Sequence, residues 1–188
     1  MRYGKRRAKM VLAALAFSTL AGLRQLDGQE SKPVLLDVTA THYYIGGEEK
    51  YQYLRVYSDR TAEAEVLKRK AMFEKTQIEK KKIILSQQDF AYLTDFLNSG
   101  KTAQLERHYK QRVGLVLDDF EAWDIRLQTS KGQEELTVVA FEPDAASRNN
   151  KPYPAELVKL GCLADTFRAQ AVGSEVQRDR ECGKVGIK

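Results

Sequence analysis

From residue 33 onward, apolar side chains recur at every second position. Val34, Leu36, Val38, Ala40 and Tyr44 fall on one side of an extended segment, with Asp37, Thr39, Thr41 and Tyr43 on the other. Such alternation marks a strand with one buried and one wet face, so it commits the chain to a sheet covered on a single side. The pattern returns at 51–57, 61–70 and 76–85. It appears again at 122–129, where Trp123, Ile125 and Leu127 alternate with Asp124, Arg126 and Gln128. Shorter runs at 113–117 and 135–141 bring the expected strands to about seven. Gly46-Gly47-Glu48-Glu49, Ser58-Asp59-Arg60 and Ser130-Lys131-Gly132-Gln133 supply the turns between neighbours.

Three segments switch to helical spacing. Ser86 precedes Gln87-Gln88-Asp89, where its hydroxyl can accept from a free amide of a first turn and Asp89 suits the positive end of the dipole. Phe90, Leu93, Phe96 and Leu97 then form a stripe that Asn98-Ser99-Gly100 ends. Residues 102–112 predict a second, short helix with Leu105 and Tyr109 on one side. Pro154 suits the first position of a last helix, with Leu157, Leu160, Ala164 and Phe167 facing inward and Cys162 off that stripe. The expected fold is α+β: a mostly antiparallel sheet of about seven strands with two to three helices packed on one face.

The beginning of the chain is of another kind. Arg2, Lys5, Arg6, Arg7 and Lys9 stand among the first nine residues without an acid, and 10–23 is apolar apart from Ser18, Thr19 and Gly22. This is the outline of a secretory signal peptide, and the apolar run is shorter than the roughly 20 residues a membrane-crossing helix needs. Thr19-Leu20-Ala21 places small residues where cleavage after Ala21 requires them. The expected organisation is therefore a signal peptide at 1–21, a linker at 22–32, one α+β domain at 33–172 and a polar tail at 173–188, with no membrane span in the mature chain. Cleavage takes five of the 31 basic residues and leaves 26, equal to the 26 acidic ones. The basic excess thus belongs to the targeting segment, which argues against nucleic acid as a partner.

Export also frames the two cysteines. Cys162 and Cys182 form an even count in a compartment that oxidises thiols, and joining them would close a loop worth roughly 3 kcal/mol in chain entropy. Neither stands in a close pair of the kind zinc sites use, and no metal or other cofactor is expected.

Several groups are candidates for chemistry. Ser99-Gly100-Lys101-Thr102 resembles the end of a phosphate loop, but the position needing the earlier glycine is Asp95, and a helix terminus explains the glycine better. Asp118, Asp119, Glu121 and Asp124 form the densest acidic cluster, which could divide acid and base roles or hold a hard cation. His42 and His108 are the only histidines, and neither adjoins a nucleophile elbow. Lys68-Arg69-Lys70 and Lys80-Lys81-Lys82 would lie on adjacent strands, as a polyanion strip or as edge protection. Tyr51, Tyr53, Arg55 and Tyr57, together with Tyr43, are expected to share one sheet face as an aromatic and cationic surface. Residues 142–153 form a long polar loop that could also carry contacts.

The reading favoured by the sequence is an exported domain, periplasmic or extracellular, that binds a protein or a cell-envelope component through Tyr51, Tyr53, Arg55 and Tyr57 or through the long loop, without being an enzyme. The alternatives are an extracytoplasmic hydrolase or metal-assisted enzyme using the acids from Asp118 to Asp124, and a polyanion-binding protein.

Overall fold

The computed structural model describes residues 32–68, 76–110, 119–139 and 153–174. The strands are β1 (Val34–Tyr44), β2 (Gly47–Tyr57), β3 (Thr61–Lys68), β4 (Gln77–Ile84), β5 (His108–Lys110), β6 (Asp119–Thr129) and β7 (Gly132–Val139), and the helices are α1 (Gln87–Asn98) and α2 (Ala155–Val172). The seven strands form one sheet in the order β4-β3-β2-β1-β6-β7-β5. All neighbours are antiparallel except β5 and β7, which run parallel. The fold is thus the expected α+β mix, with a mostly antiparallel sheet and two helices.

The first four strands form a meander out from β1, and the second part of the chain builds on the other side of β1 through β6. The hairpin from β1 to β2 turns on Ile45 and Gly46, one step earlier than the glycine pair predicts: Gly47 already pairs with Tyr44, and Gly46 adopts φ +105°, open to glycine but strained for other residues. Thr129 and Gly132 close the β6–β7 hairpin. Ser86 caps α1 as its sequence predicts, its hydroxyl accepting from the Asp89 amide at 3.0 Å. At the end of α2, Gly173 takes φ +72° and its amide returns to the Ala169 carbonyl at 2.9 Å.

The helix expected at 102–112 does not form. A single 3-10 turn spans Thr102–Gln104, and the chain then becomes β5 along the outer edge of β7. The Thr137 amide donates to the Arg107 carbonyl at 2.8 Å, and Tyr109 enters the core opposite Val138. Leu105 and Tyr109 have helical spacing, yet an unfilled strand edge offers backbone partners that a short solvent-exposed helix lacks, so tertiary pairing overrides the local pattern. The expected strand at 113–117 lies outside the described residues.

One buried cluster unites Leu36 and Val38 of β1, Leu54 and Val56 of β2, Ile125 and Leu127 of β6 and Val138 of β7 with Leu93 and Leu97 of α1 and Leu157, Leu160 and Phe167 of α2. In the middle of α2, Leu160 through Ala164 are all buried, more than one full turn, so the helix is enclosed around its whole girth there. No described helix is long and apolar enough to cross a membrane.

Candidate functional site

The tyrosine group was expected on one sheet face, and a single inserted residue divides it. Val38 pairs with Leu54 and Thr39 with Gln52, so Tyr53 is an extra residue in β2, a β-bulge. Alternation changes phase across it. Leu54 and Val56 keep to the core side, but so does Tyr51, which pairs with Ala40, and Tyr53 turns its phenol to α2. Arg55 and Tyr57 remain on the opposite, outer face, where Arg55 meets Asp37 at 2.8 Å and the Tyr57 hydroxyl donates to Glu63 at 3.1 Å. Tyr43 stacks on Phe120 at the far end of β1. The expected single surface of Tyr51, Tyr53, Arg55 and Tyr57 is therefore two separate pairs.

Side chains hold the bulge from both sides. On one, the Gln52 amide shares its hydrogens among Asp37 Oδ1 at 2.7 Å, the Val38 carbonyl at 2.8 Å and the Leu54 carbonyl at 3.0 Å. On the other, Arg168 of α2 donates to the Tyr53 carbonyl at 2.6 Å and to the Glu65 carbonyl at 2.8 Å, with its guanidinium carbon 4.4 Å from the centre of the Tyr53 ring. Ladder pairs between β2 and β3 occur at Arg55↔Glu63 and Val56↔Ala62. Beyond them the backbone N–H of Gln52 donates to Glu65 Oε2 at 2.8 Å. A planar guanidinium can satisfy two carbonyls on diverging strands at once, which an ammonium cannot do with the same geometry.

Around Arg168 gathers the densest group of buried polar chemistry in the described residues. The Tyr53 hydroxyl donates to Asp165 Oδ1 at 2.5 Å. Glu121 of β6 accepts from the Tyr51 hydroxyl and from Trp123 Nε1, both at 2.5 Å. The Tyr53 and Trp123 rings lie 4.4 Å apart. Burial, reinforced by the Asp165 charge, drives the Tyr53 phenol well above its ordinary range, and burial with Glu121 does the same to Tyr51. Burial pushes the Asp165 carboxyl up to about 6, aided by the charge of Glu121 and opposed by the Tyr53 hydrogen bond and the charge of Arg168. A carboxyl titrating there falls in the range of acid–base catalysts. Here the phenols are bonded to the carboxylates and the guanidinium to backbone carbonyls, and what they do physically is fix α2 to the bulge.

The remaining candidates disperse. Asp118 lies outside the described residues, and Asp119 opens β6. Asp124 accepts from the Thr137 hydroxyl at 2.9 Å, with Lys50 at 3.9 Å. His42 pairs in register with Glu121, whereas Asp124 pairs with Thr39, so His42 and Asp124 occupy opposite faces and do not converge. His108 is exposed on β5. Each described lysine of the basic strip meets a glutamate: Lys68 and Lys81 share Glu79, Lys80 lies 3.7 Å from Glu65, and Lys82 lies 3.4 Å from Glu63. Arg69, Lys70 and most of the long loop at 142–153 lie outside the described residues. Cys162 is fully buried beside Val158, apart from the main core as its place off the stripe implied. Cys182 lies outside the described residues. No group of three metal-ligating side chains occurs among the described residues.

Two features escaped sequence reasoning. One is a cleft of about 440 Å³ lined by Tyr92, Asp95, Phe96, Lys101, Glu156 and Lys159, with the Lys159 ammonium 4.4 Å from the Tyr92 ring centre. It joins helices distant in sequence, so no local spacing announces it. The other is the placing of Asp165 and Arg168 one helical turn apart beneath the bulge; its signal was these two charges in the second half of a helix rich in apolar residues. The chain matches no protein-family model and no curated protein.

Two outcomes follow from the network. Because Asp165 has a raised folded-state value, its ionisation weakens the fold as pH climbs from about 4 to about 6. Asp165→Asn should remove that loss, so the stability of the wild type relative to the variant should fall by up to roughly 3 kcal/mol between pH 4 and pH 7 in urea titrations; a constant difference would refute the displacement. Arg168→Ala strands two carbonyls and should cost about 2–4 kcal/mol in the same assay, with Arg168→Lys recovering only part.

Proposed function

We propose that the chain is an exported binding module, not an enzyme, and that it meets a protein or cell-envelope partner through the outer face of its sheet around Arg55 and Tyr57. The supporting observation is a row of side chains running straight across six strands of that face. Lys82, Glu63, Arg55, Asp37, Arg126 and Glu135 stand opposite one another in register from β4 to β7, and their charges alternate without a break. Lys82–Glu63 at 3.4 Å, Arg55–Asp37 at 2.8 Å and Arg126–Glu135 at 3.1 Å are ion pairs. The exposed pairs Lys82–Glu63 and Arg126–Glu135 add little to stability, about 0–1 kcal/mol each, and only Arg55–Asp37, whose carboxylate is largely buried, is shielded from water; the fixed alternation discriminates strongly between partners. It also sets an anion beside every cation, which favours a patterned protein surface over a uniform polyanion. The acids of the hydrolase reading gain no comparable support, since Asp124 and His42 face away from each other and Glu121 is held by Tyr51 and Trp123.

Export rests on the basic and apolar opening of the chain, and in an oxidising compartment Cys162 and Cys182 would be joined. Fractionation should find a product beginning near Gly22 outside the cytosol, and mass spectrometry of non-reduced peptides should find 162 and 182 linked; an uncleaved cytosolic product with free thiols overturns both. For the surface, partners captured by the wild-type chain should be lost on combining Tyr57→Ala with Arg126→Glu while circular dichroism is unchanged. Identical captures by both proteins would remove the outer face from the proposal.

A further inference from the structure

Among the described residues, the charged row ends on a strand that is paired on one side only. β4 is the outermost strand beyond β3, and all eight of its residues pair with β3 on one side only. None of the eight is buried. Among the described residues, no backbone hydrogen bond outside the strand ladders involves 77–84. Its outer-face side chains read Ile78, Lys80, Lys82, Ile84. The two isoleucines are 52% and 59% exposed, unusually so for large apolar residues, and the Lys80 side chain is 83% exposed.

We propose that this edge receives an extended acidic segment of another protein, which adds an eighth strand to the sheet. This rests on the binding-module reading but uses a different surface from the face around Arg55 and Tyr57. Backbone amides and carbonyls of an unpaired edge supply affinity for any extended chain, and side-chain matching supplies the choice among them. The matching follows from the register. Across β3 and β4 the pairs are Glu63↔Lys82 and Glu65↔Lys80, so a next strand that continues the alternation sets an acid opposite each lysine. Opposite Ile78 and Ile84 it sets apolar residues, covering the two exposed apolar side chains that flank the lysine pair. The incoming segment therefore has the pattern apolar, any, acid, any, acid, any, apolar. The pattern is its own reverse and serves a parallel or an antiparallel arrival.

A second copy of the chain fits badly. Antiparallel pairing of β4 with its copy about Lys81 sets Lys81 against Lys81 and Lys80 against Lys82, and pairing about Lys80 sets Lys80 against Lys80; like charges directly opposed are destabilising. Two of the lysines that keep copies apart, Lys80 and Lys82, select an acidic strand.

The test uses the mature chain and a fluorescent nonapeptide, Thr-Val-Thr-Glu-Thr-Glu-Thr-Val-Thr, in an anisotropy titration at low and moderate salt. Binding should weaken at least tenfold when both glutamates are replaced by lysine, when the five central residues are N-methylated, and when the protein carries Lys80→Gln with Lys82→Gln at unchanged circular dichroism. The pair Tyr57→Ala and Arg126→Glu should leave it intact, so that failure here and failure of the outer-face reading are separate results. Equal binding of the N-methylated peptide overturns strand addition. Retention of the protein on heparin without binding of the peptide also overturns it, assigning the lysines to a polyanion.

Discussion

The guanidinium of Arg168 is the contact on which the arrangement of this fold depends. β2 carries one residue more than β1 can match, and where β2 parts from β3 two carbonyls, those of Tyr53 and Glu65, accept from Arg168 on α2. A buried carbonyl left without a donor costs roughly 1–3 kcal/mol, so the bulge and the helix are mutually conditional: the divergence creates the acceptors, and the helix exists at that angle because its arginine reaches both. The neighbouring bonds then become intelligible. Tyr53 is aimed at Asp165 because its backbone is held one turn away by Arg168, and the Trp123 ring packs against Tyr53 from the strand on the far side of β1.

The same bulge sorts the chemistry between the two faces. Without the inserted residue, Tyr51 and Tyr53 would lie beside Arg55 and Tyr57, and no phenol of β2 would face the carboxylates of β6 and α2. With it, the core side acquires a network of tyrosine, tryptophan, acid and arginine, while the outer side keeps the ionic row. Low polarity around the inner network raises the stakes of each bond in it, as the displaced Asp165 carboxyl records. On the outer side, water screens the same kinds of groups, so their value lies in pattern more than in strength.

What could be read from the chain in advance follows from the range of the forces involved. Strands β1, β2, β3, β4 and β6 were legible because one-sided burial imposes a period of two over many residues, and α1 because a serine cap and an apolar stripe are local. The bulge was not, since it adds one residue without changing composition: Tyr51-Gln52-Tyr53-Leu54-Arg55-Val56-Tyr57 alternates well enough in either phase before Leu54. Its trace was Gln52, a residue able to bond three backbone and side-chain acceptors at once, but two of those acceptors, on Asp37 and Val38, come from another strand. β5 was misread for the opposite reason. Leu105 and Tyr109 are a correct local cue for a helix, and the edge of β7 that captures the segment lies almost thirty residues further on. The candidate surface inherited the error in phase, so Tyr53, which sequence placed outermost, is instead bound to α2.

The distribution of charge ties these observations together. The sequence leads us to expect cleavage after Ala21, which would leave acids and bases equal in number and no net repulsion between copies of the chain. An open sheet must then guard its edges locally. At one end the guard is brevity: β5 has three residues, too few to seed a new strand pair of useful length. At the other, β4 has eight residues, none of them buried, and there the protection is three successive lysines. Protection by charge differs from protection by shortness in one respect. A short edge refuses every comer, whereas a charged one refuses only its like, and it leaves the backbone of β4 available to a strand of opposite sign.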